Sequence, residues 1–171
     1  MAWTTPRDWT GGEFVTEAMM DTHVKDNLLA LGPHLIARKT SDESDSVGTL
    51  QNDDVLFTPS IPANEVWLLE WNLICVSASS GSFQMAATFP SGTFSGTVYT
   101  VSQNLMMSGT SSPTSTASGD VNTSAAGQII KVVGTLVNGG TPGAVTLQWA
   151  RVTSGSFTVK AQSTLWGVKL A

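Results

Sequence analysis

The strongest constraint on this chain is the run Glu65–Val76, EVWLLEWNLICV, in which Trp67, Leu69, Trp71, Leu73 and Cys75 occupy every second position. Period-two alternation of bulky apolar groups specifies a β-strand with one face in a core. The other face carries Val66, Leu68, Ile74 and Val76 around Glu70 and Asn72. A solvated outer face is normally polar, so this second face is expected to be partly covered, by the chain's own arm or by a neighbouring subunit.

Further alternating runs follow. Phe83, Met85, Ala87 and Phe89 share one phase, as do Ile130, Val132 and Leu136, and then Val145, Leu147 and Trp149. Phe157, Val159 and Ala161 form a short run, and Thr164, Trp166, Val168 and Leu170 a last one. Ser79-Ser80-Gly81 reads as a hairpin turn, Pro90-Ser91-Gly92 as a second turn and Asn138–Gly143 as a third. Residues 108–127 read as a polar loop with an edge strand around Val121. About eight strands with no intervening helix point to a mainly β, jelly-roll-like antiparallel sandwich over residues 55–171.

Upstream lie two different segments. Residues 1–37 hold an extended arm and one short helix. Pro6 and Gly11-Gly12 break regular structure, while Trp3, Trp9 and Phe14 are large apolar groups that need a surface to dock on. Thr16 is an N-cap for a helix predicted over 17–31, with Met20, Val24, Leu28, Leu31 and Leu35 at helical spacing. Gly32-Pro33 ends or kinks it. Residues 38–54 read as a polar connector. Its acids, Asp42, Glu43, Asp45, Asp53 and Asp54, lack the loop spacing of an EF-hand and are read as a solvated linker rather than a calcium site.

Charge and motifs narrow the function. The net charge is −5, and ten of the thirteen acids precede Val55, which argues against a phosphate-binding surface and so against nucleic acid. The C-terminal part is instead rich in Ser, Thr and Gly. No apolar run reaches membrane-spanning length, and the opening MAWTTPRDW lacks a signal-peptide pattern. The single cysteine, Cys75, allows no internal disulfide and sits at core phase. Glu65 and Glu70 fall on opposite strand faces, no nucleophile elbow or phosphate loop occurs, and His23 and His34 have no matching ligand set. The chain therefore reads as a non-enzyme, with no metal and no cofactor.

The N-terminal residues also carry a resemblance. Trp3-Thr4-Thr5-Pro6-Arg7, Trp9, Gly12-Glu13-Phe14-Val15-Thr16 and Lys25-Asp26-Asn27-Leu28 resemble a recurring opening of tailed-bacteriophage virion structural proteins. Lys39-Thr40-Ser41-Asp42-Glu43-Ser44 resembles the connector that follows it there. The resemblance covers roughly the first half of the chain. It implies a homotrimeric particle protein, assembled in the host cytoplasm, with a jelly-roll-like domain facing outward. Trp3, Pro6, Trp9, Phe14, Met20, Val24, Leu28 and Leu31 would then attach it to sister subunits, the major capsid protein or tail proteins. A capsid decoration or head-fibre protein is the leading expectation. The alternative is a tail-fibre or tail-tip adhesin, with a host-surface glycan as its partner on the loops Ser108–Gly127 and Asn138–Gly143.

Overall fold

A computed structural model describes residues 8, 10–25, 34–77, 81–100, 104–110, 117–121, 127–152 and 155–170. The chain divides into two units, Met1–Pro33 and His34–Ala171.

In the first unit a turn closes with the Glu13 N–H donating to the Thr10 carbonyl at 3.1 Å. Helix α1 follows at Glu17–Met20 and widens into a π-helical turn at Asp21–Lys25. Thr16 caps it as expected, in an extended conformation with its Oγ1 accepting from the Met19 N–H at 3.3 Å. No residue of α1 is buried. A helix this short gains little from propensity alone. The rest of the expected helix beyond Lys25, with Leu28, Leu31 and the Gly32-Pro33 stop, lies outside the described residues. Leu35 is not helical: it belongs to a strand.

The second unit holds twelve described strands: β1 His34–Arg38, β2 Glu43–Asp45, β3 Gln51–Phe57, β4 Val66–Ser77, β5 Gly81–Thr88, β6 Thr93–Tyr99, β7 Asn104–Gly109, β8 Ala117–Val121, β9 Gln128–Val137, β10 Thr146–Arg151, β11 Phe157–Val159 and β12 Thr164–Lys169. β3 pairs with β10, β4 with β9, β5 with β8 and β6 with β7, all antiparallel. These are the pairings of one long ribbon folded over on itself, and they distribute into two sheets. The smaller runs β3-β10-β5-β8, and the larger contains β4-β9-β6-β7. That strand order is a jelly roll.

The larger sheet is then extended past β4. β12 pairs with β4 from Trp67 to Asn72, and β11 pairs with the same edge from Cys75 to Ser77. β1 adds beyond β12 and β2 beyond β11. Three expectations change here. The described β structure begins at His34 rather than at residue 55: β1 lies at the end of the segment expected as arm and helix, and the expected connector contains β2 and the start of β3. Its polar sequence concealed this, since β2 is a three-residue strand of ESD. Ser79-Ser80-Gly81 does not join a hairpin, since β4 and β5 lie in different sheets. The strands exceed eight because β1, β2 and β7 stand outside the alternating runs.

The core lies between the sheets. Leu69, Trp71, Leu73 and Cys75 of β4 are fully buried, against Phe83, Met85 and Ala87 of β5 and Leu147 and Trp149 of β10. The Trp71 indole N–H donates to the Leu56 carbonyl at 3.0 Å, so its one polar atom is satisfied across the core. Across the larger sheet one inward row reads Gly167, Leu69, Gly134 and Gly96. The two adjacent glycines, Gly134 and Gly96, admit the Phe94 ring. A Cβ on Gly134 would lie 2.2 Å from Phe94 Cζ. That ring cannot retreat, because it stacks on Phe89 with centroids 6.2 Å apart and meets Trp71 edge-on at 6.3 Å.

Gly134→Ala is therefore expected to destabilise the fold by about 1–3 kcal/mol, the usual cost of overpacking. Equilibrium urea unfolding measures it; an unchanged midpoint would contradict the packing described.

Candidate functional site

Three regions carry exposed or polar chemistry. The first is the N-terminal unit. Phe14 is 92% exposed, and Val15, Met20 and Val24 are exposed beside it in sequence. Of these, Phe14 stands almost wholly in water, and burying it in a partner would contribute about 1.5–3 kcal/mol, with smaller gains from the half-exposed Val15, Met20 and Val24. Trp3, Pro6, Trp9, Leu28 and Leu31 lie outside the described residues.

The second region is the outside of the sandwich, whose two faces differ in kind. The smaller sheet presents Asn52, Ser82, Gln84, Thr88, Thr146 and Gln148 among its outward positions, beside exposed Phe57 and buried Ala86 and Ala150, with Gln148 donating to Asn52 at 2.9 Å. The larger sheet presents an outward row of Trp166, Glu70, Val133, Thr97 and Met106 across five strands. Leu68 and Ile129 lie on the same face and are exposed. In the middle of this face Lys131 Nζ pairs with Glu70 at 2.9 Å, and Asn72 also donates to Glu70 at 2.9 Å.

The third region is the set of acids expected to be a solvated linker. They are instead built into the fold. Lys39, only 1% exposed, places its ammonium 2.5 Å from Glu43 and 3.1 Å from Asp53, and also against Asp54. Asp53 is buried as well. It accepts from the Val55 and Leu56 N–H groups at 3.0 and 2.8 Å and from the Trp149 indole at 3.1 Å. Glu43, Asp53 and Asp54 come close enough together to hold a metal ion, but the Lys39 ammonium already supplies the cation they surround. Asp42 pairs with Lys160 and accepts from the Ala161 N–H at 2.8 Å. Asp45 accepts from the N–H groups of Val47, Gly48 and Arg151 at 2.8–3.1 Å.

These contacts set the titration of the groups. Burial works to lower the Lys39 ammonium pKa, but Asp54, Glu43 and Asp53 outweigh it and raise it above the usual lysine value. The Lys39 ammonium holds Asp54 below the ordinary carboxylate range. Burial works to raise Asp45, but the N–H groups of Arg151, Val47 and Gly48 prevail and lower it. Burial pushes the Glu43 carboxyl up, against the opposing pull of Lys39.

The structure brings no catalytic set together among the described residues. Glu65 accepts from the Trp67 indole at 2.8 Å and pairs with Lys169 at 2.6 Å, away from Glu70 and its own partners. Burial pushes the Cys75 thiol pKa well up, which removes it as a nucleophile. In the Asn138–Gly143 loop the buried Asn138 amide is spent on the carbonyls of Pro62 and Thr141, at 2.8 and 3.1 Å, and its oxygen accepts from Ser91. It pins the turn and is not free to bind sugar. Sequence reasoning missed both Lys39 and the outward role of Trp166. The sequence carried no local signal for either: the partners of Lys39 are gathered by tertiary contacts, and the phase of Trp166 is set by burial of Leu165 and Gly167. Compared with protein-family models, curated proteins and solved structures, the chain matches none.

Two predictions follow from this chemistry. The Asp45 and Asp54 contributions are present above pH ~4, the unfolded carboxylate value, and are lost as pH falls through their lower folded values. The Lys39 contribution is present below pH ~10.4 and is lost as pH rises through its higher folded value. Lys39→Met should cost about 3 kcal/mol at pH 7, the low end for breaking a buried pair, because Asp54 is 57% exposed and screened by water. It should also flatten the alkaline limb of a stability–pH profile; an alkaline limb equal to wild type would contradict the assignment. Separately, Cys75 should resist thiol reagents in the native protein and react only at the global unfolding rate. Labelling within seconds under native conditions would contradict its burial.

Proposed function

We propose that this chain is a non-enzymatic virion structural protein of a tailed bacteriophage. It is displayed on the particle as a homotrimer, most simply as a capsid decoration or head-fibre protein. The N-terminal unit attaches it to the major capsid protein, and the jelly roll faces outward. Assembly takes place in the host cytoplasm.

The observation that carries this reading is the exposed apolar sequence at Phe14, Val15, Met20 and Val24, ahead of a separate and well-packed β-unit. Such groups bind by burial, and an aromatic anchor of this kind typically dominates an attachment surface. The resemblance of residues 3–28 to phage virion openings supplies the partner class.

The test adds purified protein to particles that lack it. Full-length chain should saturate the heads. Phe14→Ala should weaken attachment roughly 30-fold, the scale of a 2 kcal/mol anchor, with an unchanged melting temperature because the ring is solvent-exposed. Removal of residues 1–15 should abolish attachment and leave the β-unit folded. Attachment that survives this truncation would overturn the proposal. Binding to host cells with none to heads would move the chain to the tail-adhesin alternative.

A further inference from the structure

The outer face of the larger sheet has the composition of an interface. The smaller sheet's outward positions mix amides and hydroxyls with fully buried Ala86 and Ala150 and with Phe57. The larger sheet places Leu68, Met106, Ile129, Val133 and Trp166 on one side, with Met106 67%, Ile129 66% and Trp166 38% exposed. An exposed apolar group of this extent on an outer sheet face marks a surface that another molecule covers.

Charge and size identify the occupant. From β12 to β7 the described outward positions carry one acid and one base, Glu70 and Lys131, paired with each other at 2.9 Å, and the β1 edge adds Arg38 in register with Thr164. The centre of the face therefore has no net sign to recognise a charged partner, and it meets another copy with little repulsion. Homo-oligomer interfaces are the more apolar class, and around the proposed three-fold axis each subunit can turn this face towards its neighbours. The path β1-β12-β4-β9-β6-β7 has five strand spacings, about 24 Å at ~4.8 Å each, and Val66 to Ile74 rises about 26 Å. Side-chain relief brings this projected area of roughly 600 Å² close to the ~800 Å² per partner of a standard interface.

We infer that the outer face of the β1-β12-β4-β9-β6-β7 sheet is covered by a second copy of this chain. This rests on the self-association in the proposed function and adds the face that carries it. Trp166 and Leu68 on one side of the Glu70–Lys131 pair, and Met106 on the other, supply the buried apolar area.

The experiment is light scattering on the full chain across a concentration series, with hydroxyl-radical footprinting of Met106 alongside. The wild type should be oligomeric, and Met106 should be protected in the oligomer and oxidised on dilution. A Met106→Glu/Ile129→Glu variant should dissociate at least tenfold more readily, while Gln84→Glu on the smaller sheet should match wild type. Protection of Cys75 from thiol reagents shows that each variant is folded; if the face variant is not, the Met106 footprint decides. An oligomer indifferent to the face variant, or one in which Met106 stays fully reactive, overturns the inference and leaves self-association standing. A wild type that is monomeric throughout overturns both.

Discussion

The pairing of β4 with β9 governs the rest of the structure. It runs in unbroken register from Val66 opposite Val137 to Cys75 opposite Gln128. A slip of one residue would turn Trp71 and Leu73 to the outside and bring Glu70 and Asn72 into the core. The register also sets the inward glycine row that receives Phe94. On its other edge, β4 is long enough to template β12 and β11 end to end, so the larger sheet grows from this strand in both directions.

A second tie holds the extension to the roll. Lys39 follows β1, Asp53 lies on β3 and Trp149 on β10, and Asp53 bonds to both of the others. One carboxylate thus links the added strands of the larger sheet to the smaller sheet. Buried ion pairs often add little net stability, yet removing one partner leaves an uncompensated charge. The cluster therefore acts more as a fixed junction than as a source of stability, and its enclosed ammonium accounts for the acids without a metal.

The sequence was most legible where alternation was strong. β4, β5, β9, β10 and β12 stand at their alternating runs because a half-buried strand forces a period of two. Val121 also sits in an edge strand, β8, as the turn-rich flanks suggested. Legibility failed where short polar strands are held by partners distant in the chain. Ser44 of β2 meets Thr158 across 114 residues, which no local pattern announces. Sheet membership was equally hidden: local turn chemistry at Ser79-Ser80-Gly81 cannot distinguish a hairpin from a crossing between sheets. At the candidate site, the exposed apolar groups near Phe14 were readable from composition, whereas the Lys39 junction exists only through tertiary contacts.

These features support a division of labour. The jelly roll buries most of its described aromatic residues between its sheets and spends the Asn138 amide on its own turn, while the N-terminal unit leaves Phe14, Val15, Met20 and Val24 exposed. Under the proposed function, attachment depends on the arm. The most direct measurement is the location and copy number of the chain in intact particles, by cryo-electron microscopy with quantitative mass spectrometry. The account predicts many copies over the head, each with its N-terminal residues seated on capsid subunits. A few copies confined to the tail tip, or none on the particle, would contradict it.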